Sequence, residues 1–217
     1  MNNSPKIKFC GLKKIEDVEL ALKLNIDYVG FIYVKNTPRY ISFENSKNII
    51  NKFNKKINFI GVFLNHSDDY IEKGVKCGIN LIQLHGNETP TRCKEIRNNF
   101  NLPIIKAIPI FKQKDILEAE KYNDYCDMFL FDTKTNGENK YNGGTGKSFD
   151  WHIIKNNSKR LTKLKPWILS GGLNLNNISK AIEITKTKYV DVSSGIEYSL
   201  GKKSQKLMKE FVLNTKI

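Results

Sequence analysis

The sequence predicts an α/β protein, a (β/α)8 barrel in which eight parallel strands alternate with outer helices. Three observations support this fold class. Eight short apolar runs recur along the chain, and several are nearly continuous in Ile, Val and Phe, as in strands buried on both faces. Segments with apolar residues at helical spacing lie between these runs. The length of 217 residues is close to the lower limit of about 200 for such a barrel, so we expect one domain over residues 1–217.

The first predicted strand ends at Cys10, where Gly11 lets the chain turn. The eight apolar runs are Ile7–Cys10, Tyr28–Val34, Phe59–Leu64, Leu81–Leu84, Ile104–Ile108, Met128–Phe131, Trp167–Leu169 and Tyr189–Val192. The interval between each run and the next is long enough for a helix. The rival fold is a doubly wound open sheet, which usually has fewer strands and a glycine-rich nucleotide loop after the first strand. Here Cys10-Gly11-Leu12 stands in that place, which favours the barrel.

Helix signals fall in the intervals between the strands. Ser42 is a plausible N-cap for one helix, and Thr89-Pro90 places a capping hydroxyl before a proline at the first helical position of another. The apolar stripes are Ile15, Val18, Ala21 and Leu22; Ile49, Ile50 and Phe53; Ile178, Ala181 and Ile182; and Leu207, Met208, Phe211 and Val212.

The composition gives a formal net charge of +14, from 36 Lys and Arg against 22 Asp and Glu. The lysines are spread from Lys13 to Lys216 instead of forming one stripe, which favours a solvated surface over a nucleic-acid site. We therefore expect no nucleic-acid partner. A nucleic-acid-binding protein remains the alternative, and it rests on the charge alone. The same positive field would attract a small polyanionic substrate.

The sequence also indicates the compartment. No run approaches the roughly 18 apolar residues of a membrane span, and the first residues lack the apolar core of a signal peptide. We expect a cytoplasmic protein without a membrane partner. The four cysteines form no CxxC pair and have no histidine at metal-ligand spacing, so we expect free thiols and no metal site: Cys10, Cys77, Cys93 and Cys126.

Ionisable side chains stand at the ends of several predicted strands, where barrels of this kind place their active sites. Cys10 ends the first strand and Asp132 the sixth, and a thiol and a carboxyl can act together as base and acid. A packed core thiol and a capping carboxylate are the alternatives. Arg39 follows the second strand and could hold a substrate carboxylate by a two-pronged contact, or else form a surface salt bridge. The remaining candidates for substrate binding are Gln83, His85 and Asp191.

Small residues follow the last two predicted strands, where this fold usually holds a phosphate. The candidate phosphate-binding residues are Gly171, Gly172, Ser193, Ser194 and Gly195, with two ordinary tight turns as the alternative reading. We expect a short helix to begin around Gly195 and to direct its N-terminus at the anion. Residues 144–148, GTGKS, end like a Walker A loop, but Tyr141 stands where that motif requires glycine.

Eight stretches of the chain share the pattern of one enzyme family and occur in the family's order. They are KFCGL, TPRYI, GVFLN, QLHGNE, LFD, GGTGKSFDW, LSGGL and DVSSGIE. On these motifs the chain resembles the phosphoribosylanthranilate isomerases, barrel enzymes of tryptophan biosynthesis. Another phosphosugar barrel enzyme, an isomerase or a synthase, is the remaining alternative, against which the Arg39 site for an aromatic acid argues.

The resemblance implies roles for several residues. Cys10 would be the general base and Asp132 the general acid of an Amadori rearrangement, with Arg39 binding the anthranilate carboxylate. Gly172, Ser194 and Gly195 would fall in the phosphate loops. The resemblance implies a small phosphorylated substrate and neither cofactor nor metal, and it leaves open whether the protein is a monomer or a homodimer. Leu200 and Ser204 replace a common proline and aspartate, and we expect both to lie past the site, near the start of the last helix.

Overall fold

Eight parallel strands form a closed barrel, so the predicted fold class is confirmed. The computed structural model describes residues 4–53, 56–134 and 148–216. Neighbours in sequence are neighbours in the barrel, and the first strand pairs with the eighth to close it. The strands are β1 (Lys6–Cys10), β2 (Tyr28–Ile32), β3 (Asn58–Phe63), β4 (Leu81–Leu84), β5 (Ile104–Ile110), β6 (Met128–Thr133), β7 (Trp167–Leu169) and β8 (Tyr189–Val192).

Helices on the outside of the barrel connect the strands. They are α1 (Ile15–Lys23), α2 (Phe43–Phe53), α3 (Asp68–Val75), α4 (Pro90–Phe100), α5 (Ile116–Glu120), α6 (His152–Asn156), α7 (Ser158–Leu161), α8 (Ile178–Thr185) and α9 (Gln205–Asn214), with a 3-10 turn at Gln113–Asp115. Both predicted caps are present. The hydroxyl of Ser42 accepts the Asn45 N–H at 3.2 Å, and that of Thr89 accepts the Arg92 N–H at 3.2 Å.

Two separate apolar layers hold the barrel. The larger one lies between strands and helices and contains outward-facing residues such as Ile7 and Phe9. The smaller one, the inner cluster, consists of Ile60, Ile105, Ala107, Leu130 and Ile168. Side chains alternate between the two faces of a strand, so residues two positions further along lie above the inner cluster at the carboxyl ends of the strands. Apolar packing thus closes the amino-terminal part of the barrel, and polar groups are left at the other end.

A small antiparallel hairpin follows β8. Its strands are β9 (Glu197–Ser199) and β10 (Lys202–Lys203). The prediction of a short helix beginning around Gly195 is therefore wrong. The chain makes a turn there, with the Glu197 N–H donating to the Ser194 carbonyl at 3.0 Å, and the next helix starts only at Gln205. Within the described ranges, no helix is long and apolar enough to cross a membrane.

Candidate active site

A cavity of about 420 Å³ opens at the carboxyl ends of the barrel strands. Ten of the residues that the sequence analysis proposed for the site line it: Cys10, Arg39, Gln83, His85, Asp132, Gly171, Gly172, Asp191, Ser193 and Ser194. Apolar side chains complete the wall, among them Val34, Leu64 and Leu173. The cavity wall thus combines apolar side chains with polar and charged ones, which suits a ligand with both an apolar and a charged part.

Cys10 ends β1 with its thiol buried, the residue being 6% exposed. Burial raises the pKa of this thiol, because a thiolate loses its hydration there, and the Asp191 carboxylate acts in the same direction. The positive charges of Lys8 and Lys203 act against this rise without cancelling it. All four cysteines are free and buried, but only Cys10 lines the cavity.

Lys8 is a residue that the sequence analysis missed. It is 1% exposed, and its ammonium group donates to Asp191 Oδ1 at 2.8 Å inside the barrel. Asp191 Oδ2 accepts a second bond from the Ser170 hydroxyl at 2.9 Å. Strand alternation could have identified Lys8. Side chains two positions apart lie on the same face of a strand, so an inward-facing Cys10 requires Lys8 to face inward as well.

Asp132, His85 and Gln83 form a chain of polar contacts across the cavity. The Thr133 N–H donates to Asp132 Oδ1 at 2.8 Å, and His85 Nε2 lies 3.3 Å from Asp132 Oδ2. On the other side of the ring, His85 Nδ1 lies 2.8 Å from Gln83 Nε2. In the tautomer in which Nδ1 accepts from the Gln83 amide, Nε2 carries the proton and directs it at Asp132. Among the described residues, the buried Gln83 Oε1 has no hydrogen-bond partner.

Arg39 lines the cavity, but its guanidinium group is already paired with a carboxylate of the protein. Its Nε and Nη2 bind the two carboxylate oxygens of Glu197 at 2.8 and 2.9 Å. Glu197 also accepts from the buried Lys203 ammonium at 2.8 Å. Burial would raise the pKa of Glu197, but the hydrogen bond from Arg39 and the charge of Lys203 outweigh it and lower that pKa to about 2. Arg39 therefore forms a salt bridge, but a largely buried one and not the surface pair named as the alternative. A bidentate contact to a substrate would need the other edge of the guanidinium.

The two glycines after β7 give their loop a backbone conformation that other residues rarely adopt. Gly171 and Gly172 adopt φ values of 88° and 62°, in the region that favours glycine. A β-carbon on Gly171 would lie 2.3 Å from the Thr133 hydroxyl and 3.0 Å from Asp132 Oδ1. Gly171 thus lets this loop approach the Asp132 carboxylate closely. The side-chain amides of Asn174 and Asn177 hold the loop by donating to the Gly172 carbonyl at 3.1 and 2.9 Å.

The loop after β8 differs in part from the expectation. Ser194 lines the cavity, but Gly195 packs behind it, where an added β-carbon would lie 2.0 Å from the Leu173 carbonyl oxygen. The Ser193 hydroxyl donates to the Cys10 carbonyl at 3.1 Å. The Ser193 hydroxyl also accepts from the Lys203 ammonium at 3.2 Å, so it is already hydrogen-bonded within the protein.

Leu200 does not lie past the site, because it lines the cavity from the tip of the β9–β10 hairpin. Ser204 caps α9, its hydroxyl accepting the Leu207 N–H at 3.3 Å, as a residue at a helix start should. Residues 143–147 of the GGTGKSFDW stretch, and Tyr141, lie outside the described residues. In the part of the chain that the structure describes, no group of three or more His, Cys, Asp or Glu side chains is placed to hold a metal ion.

A closed parallel barrel with polar and ionisable side chains around a cavity at the carboxyl ends of its strands defines the class of (β/α)8-barrel enzymes. The family model described as N-(5'phosphoribosyl)anthranilate (PRA) isomerase matches residues 7–214. The chain therefore belongs to the N-(5'-phosphoribosyl)anthranilate isomerase family and is an enzyme of that type.

Individual relatives agree with the family match. The chain is 35% identical to the N-(5'-phosphoribosyl)anthranilate isomerase of Zymomonas mobilis, over 96% of this chain and 97% of that protein. It is similar in structure to phosphoribosyl anthranilate isomerase from Thermotoga maritima, with a TM-score of 0.86, 32% identity and 98% of each chain covered. A further structure of this isomerase, with a TM-score of 0.83, 29% identity and 98% of each chain covered, is a complex with reduced 1-(o-carboxyphenylamino)-1-deoxyribulose 5-phosphate.

Proposed function

We propose that the protein converts N-(5'-phosphoribosyl)anthranilate to 1-(2-carboxyphenylamino)-1-deoxyribulose 5-phosphate, a step of tryptophan biosynthesis. The observation that carries the proposal is the position of Cys10 and Asp132, from β1 and β6, in the wall of one cavity of a chain that belongs to this isomerase family. The related enzyme in complex with a reduced form of this product supports the same ligand chemistry.

The reaction is an internal redox isomerisation that acid and base groups can perform. Asp132, in its protonated form, donates a proton to the ring oxygen of the ribosylamine, and the ring opens to a Schiff base. The Cys10 thiolate then removes the C2′ proton, which gives an enolamine. This tautomerises to the ketone as C1′ gains a proton and the C2′ hydroxyl loses one, so atoms and charge balance without an external oxidant.

Substrate binding uses the remaining lining residues. The anthranilate carboxylate binds the edge of Arg39 that Glu197 leaves open, and the aromatic ring packs on the apolar wall. The phosphate binds backbone N–H groups of the loops Ser170–Leu173 and Ser193–Gly195, the donors expected for this fold. Gln83, His85 and Asp191 contact the ribose part, where the buried Gln83 Oε1 offers an acceptor for a hydroxyl group.

The decisive experiment follows the fluorescence of enzymatically made phosphoribosylanthranilate after the protein is added. We expect the signal to decay with the wild-type protein, and to decay about 10²–10⁴-fold more slowly with Cys10→Ala, the usual contribution of a general base. Cys126→Ala is the matched control, because this buried thiol lies outside the cavity, and its rate should equal that of the wild type. No decay with the wild-type protein, or an undiminished rate in Cys10→Ala, would contradict the proposal.

A further inference from the structure

The ammonium group of Lys8 lies inside the barrel, where an unpaired charge is expensive. Its contact with Asp191 Oδ1 at 2.8 Å satisfies one of its three donors. Burial would lower the pKa of Lys8, but the charges of Asp191 and Cys10 and the hydrogen bonds to them raise it above its ordinary value. Lys8 thus forms a buried ion pair with Asp191 inside the barrel.

The geometry brings this charge to the Cys10 thiol. The two residues are two positions apart on β1, so both face the barrel interior. Cys10 pairs with Gly30 of the neighbouring strand. A β-carbon on Gly30 would lie 2.9 Å from Cys10 Sγ and 3.1 Å from Lys8 Nζ. The absent side chain of Gly30 therefore leaves the space in which the thiol and the ammonium group meet.

We propose that Lys8 is a positioning residue whose ammonium group stabilises the thiolate form of Cys10. The inference rests on the proposed function, in which that thiolate removes the C2′ proton. In this role Lys8 does not contact the reacting atoms of the substrate. It acts through Cys10, and it is held in place by Asp191, whose other oxygen binds Ser170.

The charged groups around Cys10 determine the direction in which each substitution should change the pKa of its thiol. Lys8 from β1 and Lys203 from β10 favour the thiolate, whereas Asp191 from β8 and burial disfavour it. The adjacent β2 contributes Gly30, which carries no charge, and the loop after it contributes Arg39. Asp132 and His85 line the same cavity from β6 and from the end of β4. Loss of the Lys8 charge should therefore raise the pKa of Cys10, and loss of the Asp191 charge should lower it.

The test measures the rate at which iodoacetamide alkylates Cys10 as a function of pH, with the modified peptide quantified by mass spectrometry. Only the thiolate reacts, so the midpoint of the profile reports the pKa without any need for turnover. We expect Lys8→Met to move the midpoint upward by about one pH unit or more. Asp191→Asn should move it downward. Damage to packing alone would not produce shifts of opposite sign.

A double variant and a control variant complete the test. Lys8→Met leaves the Asp191 carboxylate buried without its partner, which threatens folding. The double variant Lys8→Met/Asp191→Asn removes both charges, and its midpoint should lie above that of Asp191→Asn alone. Lys106→Met is the control, because Lys106 is equally buried and paired with Glu88 at 2.9 Å, but on the outer face of β5. Its Cys10 midpoint should match the wild type.

The outcomes separate this inference from the proposed function. If Lys8→Met keeps the wild-type midpoint, or if the double variant and Asp191→Asn coincide, the inference is overturned. The proposed function would survive that result as long as Cys10→Ala abolishes turnover. If Cys10→Ala stays active, the proposed function fails, and a shifted midpoint in Lys8→Met would still show that the ammonium group stabilises the thiolate.

Discussion

The Asp132 carboxylate has two defined contacts, and they assign different tasks to its two oxygens. Oδ1 accepts the Thr133 N–H at 2.8 Å, and Oδ2 lies 3.3 Å from His85 Nε2. The first contact holds the side chain in one orientation. The second leaves Oδ2 next to a ring nitrogen at the cavity wall, where a proton can be exchanged.

Replacing Asp132 by Asn should therefore impair catalysis more than binding. An amide keeps the size of the carboxyl but has no acidic proton to give, so we expect kcat to fall about 10²–10⁴-fold with a much smaller change in KM. Steady-state kinetics on the phosphoribosylanthranilate assay measure both. Asp150→Asn is the control, since Asp150 is exposed and pairs with His152 outside the cavity. A raised KM with an intact kcat would make Asp132 a binding residue instead.

The sequence predicted which residues line the cavity better than it predicted the partners of those residues. Cys10 and Asp132 could be proposed because parallel strands bring their carboxyl ends to one side of the barrel. The partner of Arg39 could not be predicted, because Glu197 is 158 positions away along the chain. Glu197 also lies in a hairpin, at a place where a helix had been expected. Local apolar patterns indicate strands and helices, but a salt bridge over such a distance depends on the tertiary fold.

At the scale of elements, the β9–β10 hairpin is the part of the molecule that orients Arg39. Its turn packs closely on the loop after β2, since a β-carbon on Gly201 would lie 2.4 Å from the Pro38 carbonyl oxygen. Gly201 has a φ of 73° and donates its N–H to Glu197 at 3.1 Å. Glu197 and Lys203 then extend from the two strands toward Arg39 and Ser193.

Glu197→Gln should weaken substrate binding through Arg39. The amide cannot accept from both Nε and Nη2 as the carboxylate does, and it no longer neutralises Arg39 and Lys203. We expect KM for phosphoribosylanthranilate to rise about tenfold, equivalent to about 1.4 kcal/mol, with kcat nearly unchanged. Glu210→Gln is the matched control on α9, where the carboxylate lies 3.9 Å from the exposed Lys206. An unchanged KM would show that the hairpin does not position Arg39 for the substrate.

At the scale of the whole molecule, the protein has a net charge of +14, and its cavity is proposed to bind a substrate with a phosphate and a carboxylate. An excess of positive charge should speed the approach of such a substrate, and salt should remove this advantage. We expect kcat/KM to fall on the order of tenfold between about 0.02 and 0.5 M KCl, whereas kcat at saturating substrate should stay nearly constant. A flat dependence of kcat/KM on salt would contradict steering by the overall charge.

The overall fold was the part best predicted from sequence. Each of the eight apolar runs became a strand of the barrel, because strands buried on both faces leave an unmistakable apolar pattern. The register was not predictable, since it depends on contacts between strands. That register places Lys8 beside Asp191 and Cys10 beside Gly30.

If Lys8 and Asp191 act on Cys10 as proposed, their pairing also determines when full activity can first arise. The two residues are 183 positions apart in the chain, and such distant contacts form late, because a long loop must first be closed. During synthesis, a chain that ends before β8 holds Cys10 and Arg39 but lacks Asp191, Glu197 and Lys203. During refolding, helix content should likewise return before turnover does. The appearance of catalysis thus reports the closure of the barrel between its first and last strands.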